Sequence, residues 1–401
     1  MRIGFIGAGQ FAGPFAHLFN LHPDVEAVYA TDVLPERATD MVQRLGLAGT
    51  FDSVDALLAS DVDGVVVMTQ RWMHHPTVMQ ALRAGKHVYS AVPMAVTADE
   101  ISEVVGEVGR TGLLYMMGET SYYNSAVVYA RSRVRAGDFG RLFYAEGDYV
   151  HDMEHGFYAA YQYSGGDAWR STASFPPMLY PTHSVGGVIG AWETHAVSVS
   201  CIGIHDQEDD GVFDTSVSLW GNDYSNMSAL FEMADGGVMR TNEFRRVGHP
   251  GWANESKFRF YGTKAVMEQH SQSATFATPD SLTDIWPDVA CLPSHLADHV
   301  EVEDLDPALL HSFRSGLARV HDESRLPAEF AGAPNGHQGS HPFLVDDFVR
   351  AIRDGRQPLV NAWVAARMTL PGIVAWDSAR QGGVRLPIPD LGDCPFPVIE
   401  V

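Results

Sequence analysis

Met1-Arg-Ile-Gly-Phe-Ile-Gly-Ala-Gly-Gln-Phe-Ala12 runs from a short apolar stretch into a glycine turn and on into a helical pattern. That order decides the fold. Ile3, Phe5 and Ile6 read as a buried strand, and Gly7-x-Gly9-x-x-Ala12 fits the dinucleotide fingerprint G-x-G-x-x-G/A. Gly7 permits the tight turn, Gly9 keeps a side chain away from a pyrophosphate, and Ala12 lets the helix lie close to the strand. Gln10 and Phe11 complete the cofactor-binding turn. The first free N–H groups of the helix, with its dipole, then face the phosphates. A second strand, Glu26-Ala-Val-Tyr-Ala30, ends in Thr31-Asp32, at about the expected spacing of roughly 20 residues. A carboxylate there accepts both ribose hydroxyls and repels a 2′-phosphate. Val33 and Leu34 follow with no adjacent arginine, so the expected cofactor is NAD rather than NADP.

Working outward, helix and strand patterns alternate through the first 120 residues, which predicts an α/β fold, a doubly wound parallel sheet. Strands are expected at 64–68, 87–89 and 113–117, and helices at 35–45, 53–59, 76–84 and 98–109, with Thr97 and Glu100 as a capping box. From Tyr122 the texture changes. A helix near 126–136 leads into longer alternating segments at 142–150, 196–203, 215–220, 226–233 and 237–244, with Asp235-Gly-Gly237 as a hairpin turn. The reading is therefore an NAD-binding Rossmann domain over 1–122 and, over 123–401, a substrate-binding and oligomerisation α/β domain with an open, largely antiparallel sheet. Residues 270–335, rich in Pro, Asp and Ser, are expected to form loops and short helices; helical patterning returns over 342–382, placed to pack back on the first domain.

The bulk properties fit this division. A chain of 401 residues exceeds what a single core usually supports. The formal charge of −23, from 27 basic and 50 acidic side chains, excludes nucleic acid and anionic membrane surfaces as partners. Cys201, Cys291 and Cys394 lie far apart without zinc or disulfide spacing. With no secretory leader pattern and no bilayer-length apolar run, the expectation is a soluble cytoplasmic protein.

The densest chemistry lies in Gly165-Gly-Asp-Ala-Trp-Arg170 and Pro176-Pro-Met-Leu-Tyr-Pro-Thr-His-Ser-Val-Gly186. Tyr180 and His183, three apart, are expected on one side of a helical turn that Pro181 opens, where together they can relay a proton. Packing for Tyr180 and capping for His183 remain the alternative. Arg170, Arg245 and Arg246 are candidates to hold an anionic sugar substituent, unless they pair with Glu243 or Asp167. His337 and His341 have a metal-ligand spacing, but no third ligand is close in sequence, so no metal is expected.

These features, with Thr69-Gln-Arg-Trp-Met-His-His-Pro76, Gly85-Lys-His-Val-Tyr-Ser-Ala-Val-Pro93, Gly262-Thr-Lys264 and Asp377-Ser-Ala-Arg-Gln-Gly382, resemble the glucose-fructose oxidoreductase/inositol dehydrogenase (Gfo/Idh/MocA) family over essentially the whole chain. The resemblance implies a sugar or polyol held over the nicotinamide and a homo-oligomer, dimer or tetramer. It also implies that Thr69, His74, Val92, Pro93 and Glu119 line the cofactor, and that His337 reaches toward the active site. Two departures matter. Ala91-Val92-Pro93 stands where typical members carry Glu-Lys-Pro, so their substrate-binding lysine is replaced by a valine, and Tyr180-Pro-Thr-His183-Ser-Val-Gly186 replaces a G-x-H-x-x-D pattern. With Tyr149-Val-His-Asp152, these are similar to the branch of NAD-dependent glycosidases typified by α-N-acetylgalactosaminidases.

That similarity implies a redox-neutral hydrolysis: transient oxidation at C3, loss of the acidified C2 proton, departure of the aglycone, water addition and re-reduction. Tyr149 is then expected as the C2 base, His183 as the group assisting departure and water addition, and Tyr180 as the group orienting the C3 oxygen. The alternatives are an NAD-dependent sugar or polyol dehydrogenase, with Tyr or His as the alcohol base, and a non-catalytic nucleotide-binding regulator, to which Val92 lends support.

Overall fold

The computed structural model describes residues 1–248, 255–291, 316–333 and 336–400. Its first sheet contains β1 (Arg2–Ile6), β2 (Ala27–Thr31), β3 (Gly49–Thr50), β4 (Gly64–Val67), β5 (His87–Ser90) and β6 (Tyr115–Met117), in the order β3-β2-β1-β4-β5-β6 and parallel throughout. Between these strands run α1 (Ala12–Leu21), α2 (Pro35–Leu45), α3 (Val54–Leu58), α4 (His74–Arg83) and α5 (Ala98–Thr111). The chain reverses its direction across the sheet between β1 and β4, so a crevice opens at their carboxyl ends. Ile6 pairs with both Thr31 and Val67, which sets the glycine turn, Asp32 and Thr69 side by side. The Thr97/Glu100 capping box opens α5 as expected.

Among the described residues the second sheet has nine strands. They are β7 (Leu142–Val150), β8 (Ala196–His205), β9 (Tyr224–Met233), β10 (Val238–Phe244), β11 (Ser256–Gly262), β12 (Val266–Gln269), β13 (Ala274–Thr278), β14 (Ser281–Asp284) and β15 (Leu386–Pro387). Among these described strands only β7 and β10 pair in parallel. Across the inner face lies α9 (Thr182–Trp192), preceded by α6 (Ser125–Ala136), α7 (Tyr158–Gly165) and α8 (Trp169–Ala173). Every residue of α9 is buried. Its glycines weaken it as an isolated helix, but they let it press close: a Cβ on Gly187 would meet the Phe258 ring at 2.2 Å, and one on Gly147 of β7 would meet the Ser184 carbonyl at 2.4 Å. Packing overrides propensity here, and it fixes His183 against the sheet.

After α10 (Trp286–Val289) come the closing helices α11 (Ser340–Asp354) and α12 (Ala362–Arg380), whose flanks contact residues of the first sheet and its helices. Phe343 stacks on Tyr123 at 5.1 Å, Phe348 meets Phe19 at 6.1 Å, and Met117 N–H donates to the Val360 carbonyl.

Two expectations are corrected. Residues 215–220 are a turn and not a strand: the Asp214 carboxylate accepts from Ser216 N–H and Oγ, and the Asp214 carbonyl accepts from Val217 and Ser218. A side chain that bonds its own local backbone competes with a ladder. Within 270–335, β13 and β14 extend the sheet; β14 is exposed along its length, so it carries no alternating pattern to read. The rest of that segment holds short turns at Glu323–Arg325 and Ala328–Phe330, and 292–315 and 334–335 lie outside the described residues.

Candidate active site

The glycine turn is built as its sequence requires. Gly7 has φ +99°, and a Cβ there would lie 2.6 Å from the Met68 carbonyl oxygen. Gly9 faces open space, and Ala12 is fully buried. Ala8 N–H donates to Asp32 Oδ2 at 2.7 Å and Leu34 N–H to Asp32 Oδ1 at 2.9 Å, so the carboxylate is anchored beside the turn. Among the described residues, none accepts the N–H groups of Gly9, Gln10 or Phe11. These free donors above a side-chain-free cradle fit a pyrophosphate, and Asp32 fits the ribose.

Other residues expected at the cofactor sit differently. The His74 ring is buried, with Nδ1 2.7 Å from the Pro93 carbonyl and Nε2 3.1 Å from that of Thr69. Burial lowers its pKa to about 4. This neutral imidazole clasps the loop after β4 to the Val92–Pro93 segment. Val92 is buried and offers no polar atom to the site.

Glu119 has a partner that its sequence position does not announce. It follows β6, fully buried, and its Oε1 lies 2.8 Å from His183 Nδ1 while accepting from Ser121 N–H. On its other side His183 Nε2 meets Tyr180 OH at 3.2 Å. Burial opposes a charge on His183, but the Glu119 carboxylate prevails and raises its pKa to about 10. Burial likewise opposes ionisation of Glu119, and the His183 charge and hydrogen bond hold it below its ordinary value. His183 is therefore an imidazolium that donates from both nitrogens. Tyr180 does not share its helix: it precedes α9, with φ −125° and ψ 57°, and its hydroxyl reaches His183 from outside the first turn.

Tyr149, at the end of β7, places its ring 4.7 Å from that of His183. Its hydroxyl lies 2.8 Å from His151 Nδ1, while His151 Nε2 is 2.9 Å from the His155 carbonyl and 3.3 Å from Glu255 Oε1. Only a donor suits a carbonyl, so Nε2 carries the proton and Nδ1 accepts from Tyr149. Burial keeps His151 neutral, with a pKa lowered to about 3, and, aided by Glu255, holds the Tyr149 phenol well above its ordinary value. The His337 ring stacks 6.2 Å from His183 and is bonded to His341 at 2.8 Å.

The three expected arginines divide. Arg170 is exposed and donates to the Asp210 carbonyl, not to Asp167. Arg246 pairs with Asp210 at 2.8 Å and Asp206 at 3.2 Å. Neither reaches the His183 cluster. Arg245 lies over the Tyr149 ring at 4.9 Å, but its charge is matched by buried Glu243 at 2.7 Å. Sequence reading missed Arg71, which lies 4.3 Å over the Tyr180 ring, and His151, although the latter stands two positions from Tyr149 in the quoted segment. Among the described residues, no cluster has the composition of a metal site.

The glycine turn and Asp32 thus form a cradle with the features of a dinucleotide site, and Tyr149, Tyr180, His183 and Glu119 form a second, buried polar cluster. Residues 1–119 match the Gfo/Idh/MocA oxidoreductase family, NAD-binding Rossmann fold. A glycosyl hydrolase family 109 protein of Streptomyces niveus is 26% identical over 98% of this chain and 77% of its own length. Glycosyl hydrolase family 109 protein 2 of Shewanella sp. strain ANA-3 is 32% identical over 47% of this chain, a stretch that spans 43% of that relative. Among solved structures, levoglucosan dehydrogenase in complex with NADH and L-sorbose superposes with a TM-score of 0.72 at 16% identity, covering 98% of this chain and 99% of its own.

Proposed function

We propose that the protein is an NAD-dependent glycoside hydrolase that returns its cofactor unchanged. The observation that carries the reading is the pairing of a protonated acid with a separate base: His183, held cationic by Glu119, beside Tyr149, whose hydroxyl points at an unprotonated His151 nitrogen. The names of the Streptomyces and Shewanella relatives support it. Bound NAD supplies oxidation of the sugar at C3 and its later reversal.

The chain's own groups move the protons. Tyr180, half-buried, orients the C3 oxygen, passes the C3 hydroxyl proton to solvent when the hydride leaves and returns one on re-reduction, while its contact with His183 Nε2 keeps that oxygen within the imidazolium's field. Oxidation acidifies the C2 proton, which Tyr149 takes as its own proton passes to His151 Nδ1. His183 protonates the departing C1 oxygen and then takes a proton from the water that adds. General acid and base groups are matched when their pKa values are pushed apart, and a histidine near 10 beside one near 3 meets that condition.

The test is a panel of chromogenic glycosides in D₂O. Release of aglycone with deuterium at C2 and no net NADH supports the reading; accumulation of NADH with an oxidised sugar favours the dehydrogenase that the levoglucosan structure brings to mind. Val92 argues for hydrolysis, because no lysine is present there to serve the alcohol. We also divide the chain into domains at 1–122 and 123–401, and place the homo-oligomer contact on the open sheet face, where Ile202, Ile204 and Leu230 are at least half exposed. Light scattering reads the assembly. Three free thiols support a cytoplasmic setting.

A further inference from the structure

Arg71 lies on the loop after β4 and is the basic group that sequence reading passed over. Its Nη1 donates to the Tyr161 hydroxyl, and its guanidinium is ringed by Tyr180 at 4.3 Å, Phe175 at 5.3 Å, Tyr161 at 5.4 Å and Phe157 at 5.7 Å. These side chains and Arg245 line a narrow cleft that shares the Tyr180 wall with the His183 cluster.

Among the described residues the charge of Arg71 is not matched. Arg245 has Glu243, Arg246 has Asp206 and Asp210, and Arg325 has Asp347. Among the described residues, no carboxylate is within ion-pairing distance of Arg71, in a chain with 50 acidic side chains. Aromatic faces soften the loss of solvent around a guanidinium but satisfy none of its N–H groups. Tyr161 OH accepts from Arg71 and, among the described residues, donates to nothing, so its proton also remains free for a ligand.

We propose that Arg71, with Tyr161, receives an oxyanion carried by the substrate, so the enzyme acts on an acidic glycoside: one with a carboxylate or sulfate on the sugar, or with a phosphate or carboxylate on the leaving group. The planar fork of a guanidinium matches such groups bidentately. The assignment deepens the glycosidase reading and moves anion recognition from Arg170 and Arg246, which are committed to Asp210 and its neighbours, to the first domain.

The test measures binding by the NAD-loaded protein, followed calorimetrically. Glucose, galactose and mannose are each compared with their uronates and with their 1-phosphates, in wild type, Arg71→Gln and Arg71→Lys. The expected result is that at least one acid binds about 10- to 100-fold more tightly than its neutral parent. Arg71→Gln then abolishes this preference while affinities for the neutral sugar and for NAD stay unchanged, and Arg71→Lys retains part of it. Preference for uronates places the anion on the sugar; preference for 1-phosphates places it on the leaving group. The inference falls if no acid is preferred in any pair, or if Arg71→Gln weakens acid and neutral sugar equally, or if NAD affinity falls with it. Because binding is read without turnover, failure of the hydrolysis scheme, seen as absent C2 exchange, is a separate result.

Discussion

His183 Nδ1 and Glu119 Oε1 meet at 2.8 Å across 64 residues of sequence, joining the start of α9 to the end of β6. The contact fixes the acid against the edge of the sheet that carries the cofactor crevice, and it fixes the proton on the acid.

The pH profile should show this. With His183 as the acid, activity should be lost as pH rises through about 10. In Glu119→Gln the negative partner is gone while the burial remains, so the alkaline limb should move down by about 1–3 pH units. Rates of aglycone release from pH 6 to 11 measure it, and an unmoved limb would mean that another group supplies the acid.

Tyr149 and His151 should act as one unit. Tyr149→Phe removes the base, and His151→Phe removes the acceptor of its proton while keeping a ring in place. Each is expected to slow C2 proton exchange by about 10² to 10⁴, and the double variant should be little slower than either single one. Exchange is followed by NMR in D₂O, and additive losses would show that His151 works independently of Tyr149.

The two glycines of the turn should separate stability from binding. Gly7→Ala places a Cβ at φ +99° and 2.6 Å from a carbonyl oxygen, so it should cost at least about 1–3 kcal/mol in the ligand-free protein. Gly9→Ala meets nothing and should leave the melting temperature unchanged while abolishing the stabilisation that NAD confers. Thermal melts with and without NAD decide both; a destabilised Gly9 variant would contradict the open cradle.

Such local logic was legible because it lies in consecutive residues. The strand, turn, small residues and distant acid of the first domain each have one physical reason, and the boundaries of β7 and of α2 follow from their apolar period and from Pro35 and Gly46. The site in the second half was half legible. Tyr149, Tyr180 and His183 stand in resembling segments, but Glu119 becomes their partner only when β6 is laid beside α9. Arg71 was hidden for the same reason. Its meaning depends on Tyr161 and Tyr180, 90 and 109 positions away, and a lone arginine after a strand has no signature. The strand expected at 215–220 failed because Asp214 captures the backbone beside it.

Glu243 tests the balance between burial and pairing at the floor of the site. It is fully buried, accepts from Ser184 Oγ at 2.5 Å and from Arg245 at 2.7 Å, and burial still raises its pKa to about 7 from 4.5. A carboxyl whose folded pKa is raised binds its proton more tightly in the folded state, so its contribution is whole below about pH 4.5 and is lost as pH rises through about 7. The loss amounts to roughly 3 kcal/mol, at about 1.4 kcal/mol per unit. Glu243→Gln cannot titrate and should lack that slope, so relative to wild type it should gain stability between pH 4.5 and pH 8. Glu255, raised to about 7 by the same cause, titrates in both proteins and cancels in the difference. Denaturant unfolding at the two pH values gives the answer. If the glutamine variant instead loses about 3–5 kcal/mol at pH 8, the size expected when a buried ion pair is broken, then Arg245 outweighs burial and Glu243 is ionised throughout.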